Sequence, residues 1–220
     1  MVLHVHVAIA GAHGQIALQL GERLVARGDL VTGLIRNPVH AGELRERGAD
    51  PVLCDLEEAG PEQIARTLGG ADAVVFAAGA GPGSGPERKL TVDRDGALAL
   101  LEAARHAGIG RYVMISAVGA EDPPAGEEVF AVYLRAKAQA DAGLMASELA
   151  WTVVRPGALT DEPATGRADV RTEPFRGRVP RADVAALLEL VLHDPATAGR
   201  VLYVNGGERS LADALAAALA

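Results

Sequence analysis

Short runs of apolar and β-branched residues alternate along the chain with longer stretches in which apolar positions return every three or four residues. The short runs are Leu3 to Ala10, Leu30 to Ile35, Pro51 to Leu53, Ala73 to Ala77, Tyr112 to Ser116, Thr152 to Val154 and Val201 to Val204, and they predict strands. The longer stretches predict helices at Gln15 to Arg27, Ala41 to Arg47, Pro61 to Leu68, Val92 to His106, Val129 to Ser147 and Arg181 to His193. Such alternation builds β-α-β units, so the expected fold class is α/β, a doubly wound parallel sheet with helices on both faces. Two segments break the rhythm: the Gly/Pro/Ser-rich Gly79 to Lys89, and a long irregular stretch from Leu159 to Pro180. In an open α/β sheet such segments form a wall or lid beyond the strands' carboxyl ends, or else plain surface loops. No repeat or linker marks a boundary, and one domain over 1–220 is expected.

Composition narrows the function. The 220 residues suffice for one core that buries roughly 70% of the unfolded surface. A net charge of −8 argues against a surface that neutralises nucleic-acid phosphates or docks on acidic membranes, so any bound anion needs a local site. The single cysteine, Cys54, permits no intrachain disulfide and reads as a buried thiol. The amino terminus has no basic n-region and breaks at glycines after ten residues, which predicts neither a signal peptide nor a spanning helix and fits a cytoplasmic protein.

Directly after the first strand comes GAHGQIA, Gly11 to Ala17, and a helical pattern starts at once. There Gly11 permits a tight turn, Gly14 lets backbone approach a pyrophosphate, Ala17 allows close helix-to-strand packing, and the helix N-terminus at Gln15 and Ile16 offers unpaired N–H groups to an anion. His13, inside this loop, either approaches a phosphate or is simply exposed. At the end of the second strand, where a carboxylate would accept from the ribose of NAD, the chain has Arg36 followed by Asn37. A guanidinium binds a 2′-phosphate by charge-assisted hydrogen bonds, which favours NADP as the cofactor. His4 and His6 share a face of the first strand, but no cluster with ligand spacing accompanies them, and no metal site is expected.

Tyr133 and Lys137 stand four apart on a predicted helix. Only two of the 21 basic residues are lysines, Lys89 and Lys137, and three tyrosines with two lysines give this spacing by chance with an expectation of about 0.03 on the helical i,i+4 pattern. A lysine within about 4 to 6 Å of a phenol lowers its pKa from about 10, toward the range where it exchanges a proton with a carbonyl or alcohol. The competing reading puts Tyr133 in the apolar stripe Val129, Tyr133, Ala136, Ala140 and Leu144, with Lys137 as a snorkelling flank.

With GAHGQIA, Arg36, CDL (Cys54 to Leu56), FAAGAG (Phe76 to Gly81), YVMISAVGA, YLRAK and WTVVRPGALTDE in order, the whole chain resembles the short-chain dehydrogenase/reductase superfamily. It is most similar to atypical members related to NAD(P)-dependent epimerase/dehydratases and NmrA-like proteins. The resemblance implies a Rossmann-like fold in which Gly11, Gly14 and Ala17 hold pyrophosphate and Arg36 holds the 2′-phosphate. It also implies that Asp55 and Leu56 contact adenine, and that Ala77, Ala78 and Gly79 lie along the adenosine ribose. Ser116 would polarise substrate, Tyr133 would be the acid/base, Lys137 its ribose-bound partner, and Arg155, Pro156 and Gly157 would flank the nicotinamide. Atypical members often keep the cofactor site with an incomplete catalytic set. Only 220 − 157 = 63 residues follow Gly157, which fits a small substrate better than a nucleotide sugar. Three functions are therefore expected in turn: an NADP-dependent oxidoreductase, a non-catalytic NADP(H) sensor, or an epimerase/dehydratase. The expected partner is a small molecule, with neither nucleic acid nor membrane, and the chain is a monomer or homodimer.

Overall fold

The computed structural model describes residues 4–220. Its first half runs β1 (His6–Ala10), α1 (Gln15–Arg27), β2 (Leu30–Ile35), α2 (Ala41–Glu46), β3 (Asp50–Leu53), α3 (Pro61–Thr67) and β4 (Ala73–Phe76). A compound helix follows: α4 (Pro86–Arg88), a π-helical stretch over Lys89–Gly96, and α5 (Ala97–His106). Then come β5 (Arg111–Ile115), α6 (Val129–Met145), β6 (Ala150–Pro156), β7 (Ala158–Thr160), β8 (Arg167–Arg171), β9 (Arg178–Pro180), α7 (Arg181–His193), β10 (Arg200–Ser210) and α8 (Leu211–Leu219). The strand expected from Leu3 starts at His6; Leu3 itself lies outside the described residues.

Eight strands form one sheet in the order β3-β2-β1-β4-β5-β6-β10-β8, parallel throughout except for β8, which runs antiparallel to β10 at the edge. The expected doubly wound, Rossmann-like sheet is present. Its strands read as nearly continuous apolar runs because helices cover both faces. Along β1 the side chains alternate: Val7 and Ile9 join Leu20 and Leu24 of α1 and Leu187, Leu188 and Val191 of α7, whereas Ala8 and Ala10 join Ile64 of α3, Leu100 of α5 and Leu144 of α6. Each of these buried leucines contributes about 1.5–3 kcal/mol of transfer free energy. The strand order reverses between β1 and β4, and a crevice opens beyond their carboxyl ends at that switch point.

The stretch from Leu159 to Pro180 is not irregular as expected. It carries the three short strands β7, β8 and β9, with β7 and β9 paired in a second small sheet. Asp183, fully buried in the first turn of α7, fastens the segment by accepting from the amides of Thr165 and Gly166 and from the Thr165 hydroxyl. The segment Gly79 to Lys89 likewise ends in helix, and the helix expected from Val92 begins at Pro86. No helix among the described residues is long and apolar enough to cross a membrane.

Candidate functional site

Beyond the carboxyl ends of β1, β2 and β4 lies a cleft of about 400 Å³. Its lining includes Gly11, His13, Gly14, Arg36, Asn37, Asp55, Leu56, Ala77, Ala78 and Gly79, all singled out from the sequence. The floor is backbone. Gly11 has φ +76°, and a Cβ there would stand 2.5 Å from the Cα of Ala78, so only glycine lets the turn after β1 lie against the turn after β4. Gly14 caps α1 without any side-chain hydrogen bond, which leaves the first helical amides, at Gln15 and Ile16, for an anion. The side chains of Gln15 and Ile16 do not line the cleft, and neither do Pro156 and Gly157. A glycine floor, an uncapped helix start and arginines at one rim fit a dinucleotide, with Gly11, Gly14 and the α1 amides able to hold the pyrophosphate.

Sequence reasoning missed part of the rim. His40, Glu57 and Arg88 also line the cleft. His13 bonds Glu43 through Nε2 at 2.8 Å and packs its ring against His40, with centroids 3.5 Å apart. Burial and the neighbouring His13 lower the pKa of His40, partly offset by Glu43. Asn37 uses its side-chain oxygen to cap the turn at Pro38–His40, accepting from Val39 N at 3.1 Å, and Asp55 accepts from Glu57 N at 3.0 Å. Arg36 is exposed at the end of β2, and its guanidinium donates to Glu57 at 3.0 Å. Cys54 is buried as expected, and burial raises its thiol pKa.

The three residues matched to the catalytic set lie past the end of this cleft, where β5 and β6 meet α6. Ser116 donates from Oγ to Asp141 Oδ2 at 2.7 Å. Arg155 donates to that same oxygen from Nε at 3.0 Å and Nη2 at 2.9 Å, and from Nη1 to the Tyr203 hydroxyl at 2.7 Å. Lys137, 3% exposed, donates to the carbonyl of Ile115 at 3.0 Å and stands 3.5 Å from Asp93 Oδ1. Asp93 belongs to the π-helical stretch, and its other oxygen accepts from Ala80 N at 3.1 Å. π-Helical turns widen a helix and recur at functional sites; here the stretch packs along α6 and carries both Lys89 and Asp93. Lys89 donates to the Gly81 carbonyl at 2.8 Å and places its ammonium 5.6 Å from the ring centroid of Tyr133.

Electrostatics correct one expectation. The Tyr133 pKa is raised, not lowered: burial comes first, followed by the carboxylates of Asp93 and Asp141. Lys137 gives no opposing pull on the phenol; its ammonium is bonded to the Ile115 carbonyl and stands beside Asp93. Burial also pulls the Lys137 pKa down, against the opposing pull of Asp93 and Asp141. Asp141 is itself raised by burial despite its bonds from Ser116 and Arg155. Asp93 and Asp141 went unnoticed in the sequence, although Asp141 stands four residues beyond Lys137, the spacing that shares a helix face.

The profile of a protein family described as NAD(P)H-binding matches residues 11–195. The uncharacterized sugar epimerase YhfK of Bacillus subtilis is 37% identical over 214 residues, spanning 95% of this chain and 98% of its own. A Bacillus halodurans structure provisionally named an NAD-dependent epimerase/dehydratase superposes with a TM-score of 0.90 at 35% identity, over 97% of this chain and 99% of that one. The oxidoreductase ylbE of Lactococcus lactis superposes with a TM-score of 0.85 at 27% identity, over 97% and 96%.

Proposed function

The chain belongs to the NAD(P)H-binding family, among the atypical short-chain dehydrogenase/reductases, and on that premise we propose that it is an NADP-dependent oxidoreductase acting on a small carbonyl or alcohol. One observation carries the reading: the glycine-floored cleft with arginines at its rim ends beside Tyr133, whose ring centroid lies 5.6 Å from the ammonium of Lys89, itself bonded to the cleft's own Gly81. The cofactor, when bound, supplies or accepts the hydride. The rest falls to side chains. With its pKa raised by burial and two carboxylates, the Tyr133 phenol carries its proton at neutral pH and can donate it. Tyr133 would pass its phenol proton to the substrate oxygen, giving the alcohol. Lys89 stabilises the tyrosinate until solvent restores the proton. Of the three Lys137 ammonium protons, one remains for a ribose hydroxyl once Ile115 and Asp93 have taken theirs. Ser116, its hydrogen bond committed to Asp141, serves by holding that carboxylate more than by polarising substrate. Arg36 is assigned to the 2′-phosphate.

Tyr133→Phe tests the reading: turnover with NADPH and a panel of small aldehydes and ketones should fall about 10²–10⁴-fold, with NADPH affinity within about twofold of wild type. Equal turnover in the variant sinks it. A non-catalytic NADP(H) sensor is favoured by the commitment of Ser116 and Lys137 to internal partners. That reading requires the oxidised and reduced cofactors to differ in affinity and the loop at Gly79 to Lys89 to change its protease sensitivity on binding. The names of the two Bacillus relatives favour an epimerase or dehydratase, which would emerge from purification with nucleotide retained.

A further inference from the structure

At the mouth of the cleft a single carboxylate holds two arginines that come from different parts of the fold. Glu57, in the turn after β3, accepts from Arg36 at the end of β2 at 3.0 Å. It accepts from Arg88, at the end of α4, through Nη2 at 2.6 Å and Nε at 3.4 Å, and from the Thr91 hydroxyl at 2.6 Å. All three residues line the cleft, and both arginine side chains are partly exposed, 54% for Arg36 and 39% for Arg88. Asp55 lines the same cleft, so the two guanidiniums face two carboxylates there, on a chain whose total charge is −8. The hydrogen bond from Arg88 and the charges of both arginines hold the Glu57 carboxyl below its usual pKa, so it is ionised at neutral pH.

We propose that Glu57 sets how strongly this chain prefers a 2′-phosphorylated adenosine over a plain one, because its carboxylate occupies the guanidiniums that a 2′-phosphate would use. An oxyanion offered to Arg36 and Arg88 meets donors already engaged in charge-assisted bonds and a like charge beside them. Binding a 2′-phosphate then means that Glu57 yields its place, and the preference for NADP is lower than two free arginines would give. Since the same carboxylate ties α4 to the β2–β3 edge, its release also unfastens the start of the compound helix at the cleft mouth. The inference rests on the NADP reading above.

The test compares 2′,5′-ADP with 5′-ADP by calorimetric titration of the full chain, for wild type, Glu57→Gln and Arg36→Ala. The amide keeps the side chain's shape and removes its charge. Glu57→Gln is expected to bind 2′,5′-ADP about tenfold more tightly, as removal of one charge-assisted competitor implies, with 5′-ADP changing less than about twofold on the same grounds. Arg36→Ala is expected to weaken 2′,5′-ADP alone. If Glu57→Gln binds 2′,5′-ADP no more tightly than wild type while Arg36→Ala loses affinity, the inference about Glu57 is overturned and the NADP reading stands. If wild type does not distinguish the two nucleotides and Arg36→Ala changes neither, the NADP reading falls and takes the inference with it.

Discussion

The two halves of the site are built on opposite plans. The nucleotide half is a backbone cradle: Gly11 and Gly14 shape an open cleft, and the charged groups that line it, Arg36, Asp55, Glu57 and Arg88, are partly exposed. The reacting half is a sealed cluster of side chains, in which Asp93, Ser116, Lys137, Asp141 and Arg155 are each at most 6% exposed and hydrogen-bonded to one another or to nearby backbone. On the proposed function the first half receives an anion and the second holds one phenol in a fixed electrostatic environment. Breaking a charged pair by removing one partner should therefore cost little in the first half and much in the second.

Removing Asp141 tests that contrast most severely. Its loss leaves the Arg155 guanidinium buried without its main partner and Ser116 without its acceptor. Asp141→Ala is expected to cost about 3–5 kcal/mol in urea unfolding, the cost of stranding a buried charge. The double variant Asp141→Leu/Arg155→Met should lose less than Asp141→Ala alone, because it removes both charges together. A loss under about 1 kcal/mol for Asp141→Ala, the range of an exposed pair, would erase the distinction between the halves.

In the nucleotide half the sensitive element is backbone. Gly11→Ala must place a Cβ against Ala78 at a left-handed φ, which costs about 1–3 kcal/mol of strain if the turn holds. Should the turn shift instead, the cradle is lost. Either way nucleotide affinity should drop more than stability does, measured by pairing 5′-ADP titration with urea unfolding of the same variant. Undiminished 5′-ADP binding in a folded Gly11→Ala would mean the turn is not the phosphate cradle.

The same difference explains what could be read from the sequence. GAHGQIA announces itself because strand, turn and helix N-terminus follow within seven residues, so local geometry and chemistry coincide. The alternation of strands and helices was equally legible, down to the bounds of α1 and α7. The reacting cluster was not: the partners of Arg155 lie 14 and 48 residues away, and Asp93 was hidden in a helix whose π-helical widening leaves no compositional trace. Strands β7, β8 and β9 escaped notice because runs of three to five residues are too short for a period to stand out, and their pairing depends on β10 and on one another. A spacing of four predicted that Tyr133 and Lys137 share a helix, but the sign of the phenol's shift depended on carboxylates brought in by other turns.

The smallest expected effect, pH, separates the halves by direction. Glu57 has a folded pKa below its unfolded value of about 4.3. Its contribution is present above that value and lost as pH falls through the folded pKa, a loss of under about 1 kcal/mol for a pair this exposed. Asp141 works the other way: its folded pKa is raised, so acid favours the folded state there and the reacting half does not weaken. Tyr112 and Tyr133 are both raised above the unfolded value of about 10, so their contribution is complete below pH 10 and is lost as pH climbs through the folded values. Cys54 adds a loss of the same sign, starting from its unfolded value of about 8.5. Urea midpoints across the pH range should thus fall gently on the acid side, and Glu57→Gln should flatten that limb. They should fall again in alkali, where Tyr133→Phe should make the limb shallower without touching the acid side. If Glu57→Gln instead altered the alkaline limb, the cleft mouth and the phenol would be one coupled unit, and the division drawn here would have to be given up.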